Sequence, residues 1–202
     1  MPSERQVHAV NGQREAALMT RIDPRELRQV FGKFATGVTV VTYQDDGVPR
    51  GATVNSFTSV SLEPPLALVS LDRRSRACGN LHDRPFAINI LTAGQRDLAL
   101  HFAGVPQSSV RDPFTGTDGR DEPPVIRDCL AYIACVPWAV HEAGDHRLFI
   151  GEVVDASEGR AAEPRPLGFF GGGFCRVESG ERSWAASNEL IAAMQQNLSF
   201  SW

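Results

Sequence analysis

Leu27, Val30, Phe31 and Phe34 recur at i, i+3, i+4 and i+7, which places them on one face of a helix. Asp23 offers an N-cap oxygen, Pro24 a first helical position, and Glu26 the carboxylate of a capping box. The spacing therefore predicts an amphipathic helix that starts at Asp23, ends near Ala35-Thr36-Gly37 and lies on a core. The β-branched run Val38 to Tyr43 predicts a strand, Gln44 to Gly47 a hairpin turn, and the residues from Gly51 the returning strand. Glu63-Pro64-Pro65 interrupts pairing, because proline brings no N–H to a ladder. The unbroken apolar run from Leu66 to Leu71 predicts a strand covered on both faces.

Further along, a short helix is expected over Ser75 to Asp83 and a strand over Phe86 to Leu91. A second amphipathic helix is expected over Ala93 to Ala103, through Leu98, Leu100 and Phe102. Val105 to Pro124 is polar and rich in Pro, Gly, Asp and Ser, which reads as a mobile loop. Three more strands are expected at Leu130 to Val136, Leu148 to Val154 and Leu167 to Phe174, the last around a glycine-rich turn. Trp184 to Leu198 reads as a closing helix with Leu190, Ile191, Met194 and Leu198 on one side. Many short strands with few intervening helices favour a barrel or sandwich over a doubly wound sheet.

At 202 residues, 42% hydrophobic and 22% charged, the chain can bury a sizeable core and is expected to form one globular domain. A formal net charge of -4 gives no electrostatic reason to expect nucleic acid, and the densest basic cluster, Arg73-Arg74-Ser75-Arg76, is local. No apolar run approaches the roughly 20 residues that cross a bilayer, and the first residues carry no hydrophobic signal core. A cytoplasmic protein without a membrane partner is expected. Cys78, Cys129, Cys135 and Cys175 are widely spaced with no CxxC pair, so they read as packed thiols rather than metal ligands or a disulfide framework.

Hydrolase chemistry finds no foothold: there is no Gly-x-Ser-x-Gly elbow, and none of the five histidines sits in a hydrolase context. Asp45-Asp46 and Asp121-Glu122 lie in turn-like, solvated sequence and read as surface. The glycine cluster Gly168 to Cys175 matches neither GxGxxG nor a phosphate loop, so any dinucleotide must be held by another architecture. The stretch from Gly51 to Leu71 is more informative. It places Thr53, Asn55, Ser56, Thr58, Ser59 and Ser61 within nine residues and then turns apolar. A groove lined by Thr53 to Ser56 suits a ligand with a polyol chain and a heteroaromatic edge. Arg73 to Arg76, opening a short helix, suits an anion. A polyol, a heterocycle and a phosphate together describe a flavin nucleotide, although an exposed edge strand and a capped helix account for the same residue types equally well.

Several spaced motifs carry a resemblance. Phe34 to Thr42, Gly51 to Pro65, Ser75, Phe86 to Leu91, His101-Phe102-Ala103-Gly104, Gly144-Asp145-His146 and Gly151-Glu152-Val153 occur in the order and form of the short-chain flavin reductase family. These are the reductase components of two-component flavin-dependent monooxygenases. The resemblance runs from about Asp23 to Arg176. It implies a mainly β fold with peripheral helices, the flavin-binding split β-barrel, normally a homodimer. Residues 1–22 would then be an N-terminal extension, 23–176 the domain, and 177–202 a helical extension packing on the domain or on the dimer partner.

What the resemblance implies extends to single residues. Thr36, Gly37 and Thr39 would approach the isoalloxazine and ribityl region. Thr53, Val54, Asn55 and Ser56 would bond the heterocycle edge and ribityl chain, and Ser70, Leu71, Ser75 and Arg76 would surround the phosphate. Ala87 and Asn89 would stand beside the site, although a strand asparagine equally well satisfies a backbone group. His146 would hold the nicotinamide against the flavin, assisted by Arg147, and Phe170 would serve as a flavin or nicotinamide wall or as core packing. The implied reaction is hydride transfer from NADH or NADPH to FMN or FAD, with reduced flavin released to a separate oxygenase. A flavin carrier that keeps its FMN and never turns over a pyridine nucleotide is the reading from another class.

Overall fold

A computed structural model describes residues 22–115 and 122–177 of the chain. The expected helix from Trp184 to Leu198 lies outside the described residues, as do nearly all of both extensions. The described residues form two compact units: those up to Ala35 with Phe170–Gly173, and those from Thr36 to Phe169 with those from Phe174 onward.

In the smaller unit, helix α1 (Pro24–Phe31) starts as its cap chemistry predicts, with the Arg25 N–H donating to Asp23 Oδ1 at 2.8 Å. Its apolar face differs from expectation. No residue of α1 is buried, and Val30, Phe31 and Phe34 are 66%, 66% and 76% exposed. A helix of eight residues has little more than two turns with which to cover a face. The glycine turn of the same unit meets its end, where the Gly171 N–H donates to the Gly32 carbonyl at 2.8 Å.

The larger unit is built on a seven-stranded antiparallel sheet. Its strands are β2 (Thr39–Asp45), β3 (Val48–Val54), β4 (Thr58–Leu62), β5 (Pro65–Asp72), β6 (Phe86–Ile90), β9 (Ala131–Ala143) and β10 (His146–Glu158). The order across the sheet is β3-β2-β6-β9-β10-β5-β4. Two-residue strands β1 (Thr36–Gly37), β7 (Phe114–Thr115) and β8 (Val125–Ile126) and the hairpin β11 (Leu167–Phe170) and β12 (Gly173–Arg176) complete the β structure. Two short helices, α2 (Arg76–Asn80) and α3 (Arg96–Phe102), lie between strands.

Strand β2 is buried from Thr39 to Tyr43, because side chains alternate across a pleat and both of its faces are covered. Val41 and Tyr43 join a cluster with Val69, Leu71, Phe86 and Phe149, whereas Val38 and Val40 join another with Leu91, Ala99, Ile126 and Leu167. The strand from Leu66 to Leu71 was expected to be covered on both faces, and it is not. Ala67, Val69 and Leu71 are buried, while Leu66, Leu68 and Ser70 on the other face are only half-buried.

β2 and β5 stand near opposite ends of the strand order yet share one core, so the sheet curls toward itself. Strand pairing does not close it. Instead Ser56 Oγ, just past β3, donates to the Ser70 carbonyl at 2.9 Å and accepts from the Ser70 N–H at 3.0 Å, which clasps the two ends across a seam. This is the split-barrel arrangement. β9 and β10 run for 13 residues each, well beyond the expected strands. The register shifts where Gly151 pairs Pro137 and Ile150 pairs Ala139, leaving Trp138 as a bulge that admits a proline into a long strand. β4 was not foreseen as a separate strand, since the stretch from Gly51 read as one returning strand up to Glu63-Pro64-Pro65. It pairs with β5 around Glu63-Pro64, with Leu62 opposite Pro65.

Among the described residues no helix is long and apolar enough to cross a membrane. Cys78, Cys129 and Cys135 are buried and Cys175 is half-buried, all as free thiols, and burial pushes the Cys135 thiol up to about 12.

Candidate functional site

The seam is also a cleft. The end of β3, the end of β5 and the start of β10 enclose about 310 Å³. Of the residues singled out from sequence, Thr53, Val54, Asn55, Ser56, Ser70, Leu71, Ser75 and His146 line it together. Ala52 and Asp72 complete the wall and were not anticipated.

The hydroxyls of this wall are mostly engaged with the protein. Thr53 Oγ1 donates to the Ala99 carbonyl at 2.7 Å, which ties α3 to β3. Ser56 makes the clasp. Ser75 Oγ donates to the Asp72 carbonyl at 2.7 Å and accepts from the Cys78 N–H at 3.1 Å as the cap of α2. Thr39 Oγ1, buried, donates to the Val54 carbonyl at 3.2 Å. A hydroxyl carries one proton, so these groups offer a ligand their remaining lone pairs and not a donor. Two side-chain donors on the wall, the exposed Asn55 amide and the Ser70 hydroxyl, make no hydrogen bond among the described residues. Thr36 Oγ1 is buried without a partner, an atom that a polar ligand group would satisfy.

His146 is aimed by a two-residue turn. It opens β10, with Ala143 opposite it on β9 and Asp72 opposite it on β5. Gly144 sits at φ 64°, a left-handed conformation that glycine adopts without a Cβ penalty. Asp145 Oδ1 lies 2.7 Å from His146 Nδ1, which restrains the ring and leaves Nε2 without a hydrogen bond among the described residues. The His146 ring in turn holds the Asp145 carboxyl below the usual carboxylate range. Arg74 does the same, more strongly, to Asp72, through contacts of 2.7 to 3.1 Å from its backbone and guanidinium.

The cationic cluster divides differently from expectation. Arg74 is paired with Asp72, and Arg73 with Glu142. Arg147 Nε also meets Glu142, at 2.7 Å, and Arg147 does not line the cleft. Among the described residues Arg76 makes no ion pair, and it lines a second, larger cleft of about 760 Å³. The two clefts share Ala52 and Ser75. Arg50, Tyr43, His101, Phe102 and Phe114 stand on the larger one. Gly51 allows the close approach of α3: a Cβ there would stand 2.8 Å from Phe102 Cδ1 and 2.9 Å from Val40 Cγ1.

Other expected residues are not in the cleft. Ala87 and Asn89 are fully buried, and every polar atom of the Asn89 amide has a protein partner. Asn89 therefore satisfies the interior and does not line the cleft. Thr36 and Gly37 form β1 against Phe169 and Gly168. They lead into Val38, which borders a hollow of about 170 Å³ with Thr53, Val54, Asn55, Phe169 and Phe174. Phe170 belongs to the smaller unit, is 48% exposed and carries Lys33 Nζ 5.9 Å from its ring centroid, so core packing is not its role. Arg50, Tyr43 and Phe114 were missed because nothing in their local sequence distinguishes them. His101 and Phe102 stood within a quoted motif without a role.

Comparison with known proteins places the chain in a family. The profile of the family described as "Flavin reductase like domain" matches residues 31–178. The reductase subunit HsaB of a flavin-dependent monooxygenase from Mycobacterium tuberculosis is 39% identical over 165 residues, covering 80% of this chain and 86% of that protein. The flavin reductase PheA2 superposes with a TM-score of 0.71 at 40% identity, over 78% of this chain and 100% of that one. The NADH:FAD oxidoreductase SgcE6 of Streptomyces globisporus, in complex with NAD and FAD fragments, gives a TM-score of 0.68 at 39% identity, over 79% of this chain and 98% of that one.

Proposed function

This chain belongs to the flavin reductase-like domain family, and from that premise we propose that it uses NADH to reduce a flavin that it binds at the seam and then releases to a separate oxygenase. The observation that carries the reading is the presence of His146 on the same cleft wall as Asn55 and the Ser70–Asp72 backbone. A carrier that only holds a flavin has no use for a histidine held at this wall.

The chemistry supplied by a bound flavin is acceptance of a hydride from a reduced nicotinamide. The protein's share is orientation and exclusion of water. In this reading Asn55 and the backbone from Thr53 to Ser56 meet the polar edge, while the clasp between Ser56 and Ser70 keeps that wall at fixed width. His146, held by Asp145, presents Nε2 to the nicotinamide side of the cleft. NADH as the donor is supported by the likeness to SgcE6, an NADH:FAD oxidoreductase, and the oxygenase by the likeness to HsaB, the reductase subunit of a flavin-dependent monooxygenase. The family resemblance also has the chain act as a homodimer, which light scattering measures directly.

The test is oxidation of NADH by the purified protein with FMN, with FAD and with neither. Turnover that requires added flavin supports the proposal. A tightly bound flavin with no NADH oxidation under any of these conditions selects the carrier instead.

A further inference from the structure

Thr42 and Asn89 lie on adjacent strands, both with no exposed surface, and line none of the clefts described above. Asn89 Nδ2 donates to the Val40 carbonyl at 3.0 Å and to Thr42 Oγ1 at 2.9 Å, while Asn89 Oδ1 accepts from the Ile126 N–H at 2.8 Å. Thr42 Oγ1 donates to the Pro124 carbonyl. The pair thus grips the backbone of β8 from both sides of Val125. The grip continues outward: Ile126 pairs with Phe114, the Arg127 N–H donates to the Pro113 carbonyl at 2.8 Å, and Arg127 Nη2 donates to the Phe114 carbonyl at 2.8 Å. Phe114 then stands with its ring centroid 5.8 Å from that of Phe102, and both rings wall the larger cleft.

That cleft has two kinds of lining. Phe102, Phe114 and Pro113 offer apolar surface suited to a base. Arg50 and Arg76 offer positive charge: Arg50 Nε makes no hydrogen bond and lies 3.7 Å from Asp45 Oδ2 in a long ion pair, and Arg76 makes no ion pair among the described residues. The shared wall at Ala52 and Ser75 makes the larger cleft the continuation of the seam. A ligand that fills the seam and is longer than it must pass there.

We infer that the Thr42–Asn89 pair is a positioning device for the larger cleft, and that this cleft seats the adenosine diphosphate end of FAD, so that discrimination between FAD and FMN is set by two buried residues that touch neither. The inference rests on the flavin-reductase reading above. It assigns Asn89 a role at a distance and gives Phe114, Arg50 and Arg76 the direct contacts.

The experiment measures KM for FAD and for FMN at saturating NADH, and KM for NADH with FMN, in the wild type and in Thr42→Val, Thr42→Ser, Asn89→Asp and Phe114→Ala. The ratio of KM for FAD to KM for FMN should rise about tenfold in Thr42→Val, Asn89→Asp and Phe114→Ala, and stay within about twofold of wild type in Thr42→Ser, which keeps the hydroxyl. Phe114→Ala alters a half-buried side chain, so it reports even if the two buried variants fail to fold. An unchanged ratio in Phe114→Ala together with FMN turnover overturns the inference and leaves the reductase reading standing. A rise confined to KM for NADH assigns the cleft to the nicotinamide dinucleotide and also overturns it. Absence of FMN reduction in the wild type removes the reductase reading itself.

Discussion

The seam and the Thr42–Asn89 node are made of the same residue types and have opposite fates. At the node a threonine and an asparagine are fully buried, and each polar atom is answered by protein. At the seam Thr53, Ser56 and Ser75 give their protons to carbonyls of the fold, and Asn55 is left exposed with an unanswered amide. Side-chain chemistry alone therefore does not mark a ligand wall. The mark is a donor or acceptor that the fold leaves without a partner at the edge of a cleft.

The largest effect that would break this contrast is on stability. Asn89→Ala should cost about 2 kcal/mol, because it strands the Ile126 N–H in the interior. Asn55→Ala should cost less than about 0.5 kcal/mol, as an exposed side chain without partners. Urea unfolding of the two variants reads the difference, and equal losses would erase the distinction. Flavin binding should order them the other way: Asn55→Ala should weaken FMN affinity by about tenfold, the loss of one well-placed hydrogen bond. Fluorescence titration measures it.

A smaller effect concerns the turn that aims His146. Gly144→Ala forces a Cβ into a left-handed conformation and should cost about 1 kcal/mol while displacing the ring. Turnover should fall and FMN affinity should not. The smallest effect is that of pH. Asp72 and Asp145 at the seam are held below the usual carboxylate range, by Arg74 and by His146 respectively, whereas the node contains no ionisable group. A carboxyl depressed in the folded state stabilises it above the unfolded pKa, near 4, and that contribution disappears as pH falls toward the folded value. The Asp145 carboxyl is exposed and that of Asp72 half-buried, so salt should mute the effect. Urea midpoints of Asp72→Asn should therefore fall less steeply below about pH 4 than those of the wild type. Thr42→Ser should leave that slope as it is.

Much of the fold was legible in the sequence. The cap at Asp23, the hairpin around Asp46-Gly47, the strand from Phe86 and the strand entering the glycine turn at Leu167 are all local patterns, and all appear. The length of β9 and β10 was not, because Pro137 reads as a strand end unless its bulge is known. The exposed face of α1 was misread for a related reason: periodicity identifies an apolar face but not what covers it. Eight of the expected site residues meet in one cleft, since a run such as Thr53 to Ser56 travels together on one strand end. Asn89, Arg147 and Phe170 do not join them. Their placement depends on register, on the competing carboxylate of Glu142 and on which unit carries the turn, none of which is written in neighbouring residues. The larger cleft was hidden because Arg50, Arg76, His101 and Phe114 come from four separate segments.

The central claim is that the seam brings a flavin and a nicotinamide together beside His146. Rapid mixing of NADH with flavin-loaded protein under anaerobic conditions tests it most directly, in the wild type and in His146→Ala. The account predicts that bleaching of the flavin slows by about tenfold or more in the variant while flavin affinity stays within about twofold. Equal bleaching rates in the two proteins would contradict it.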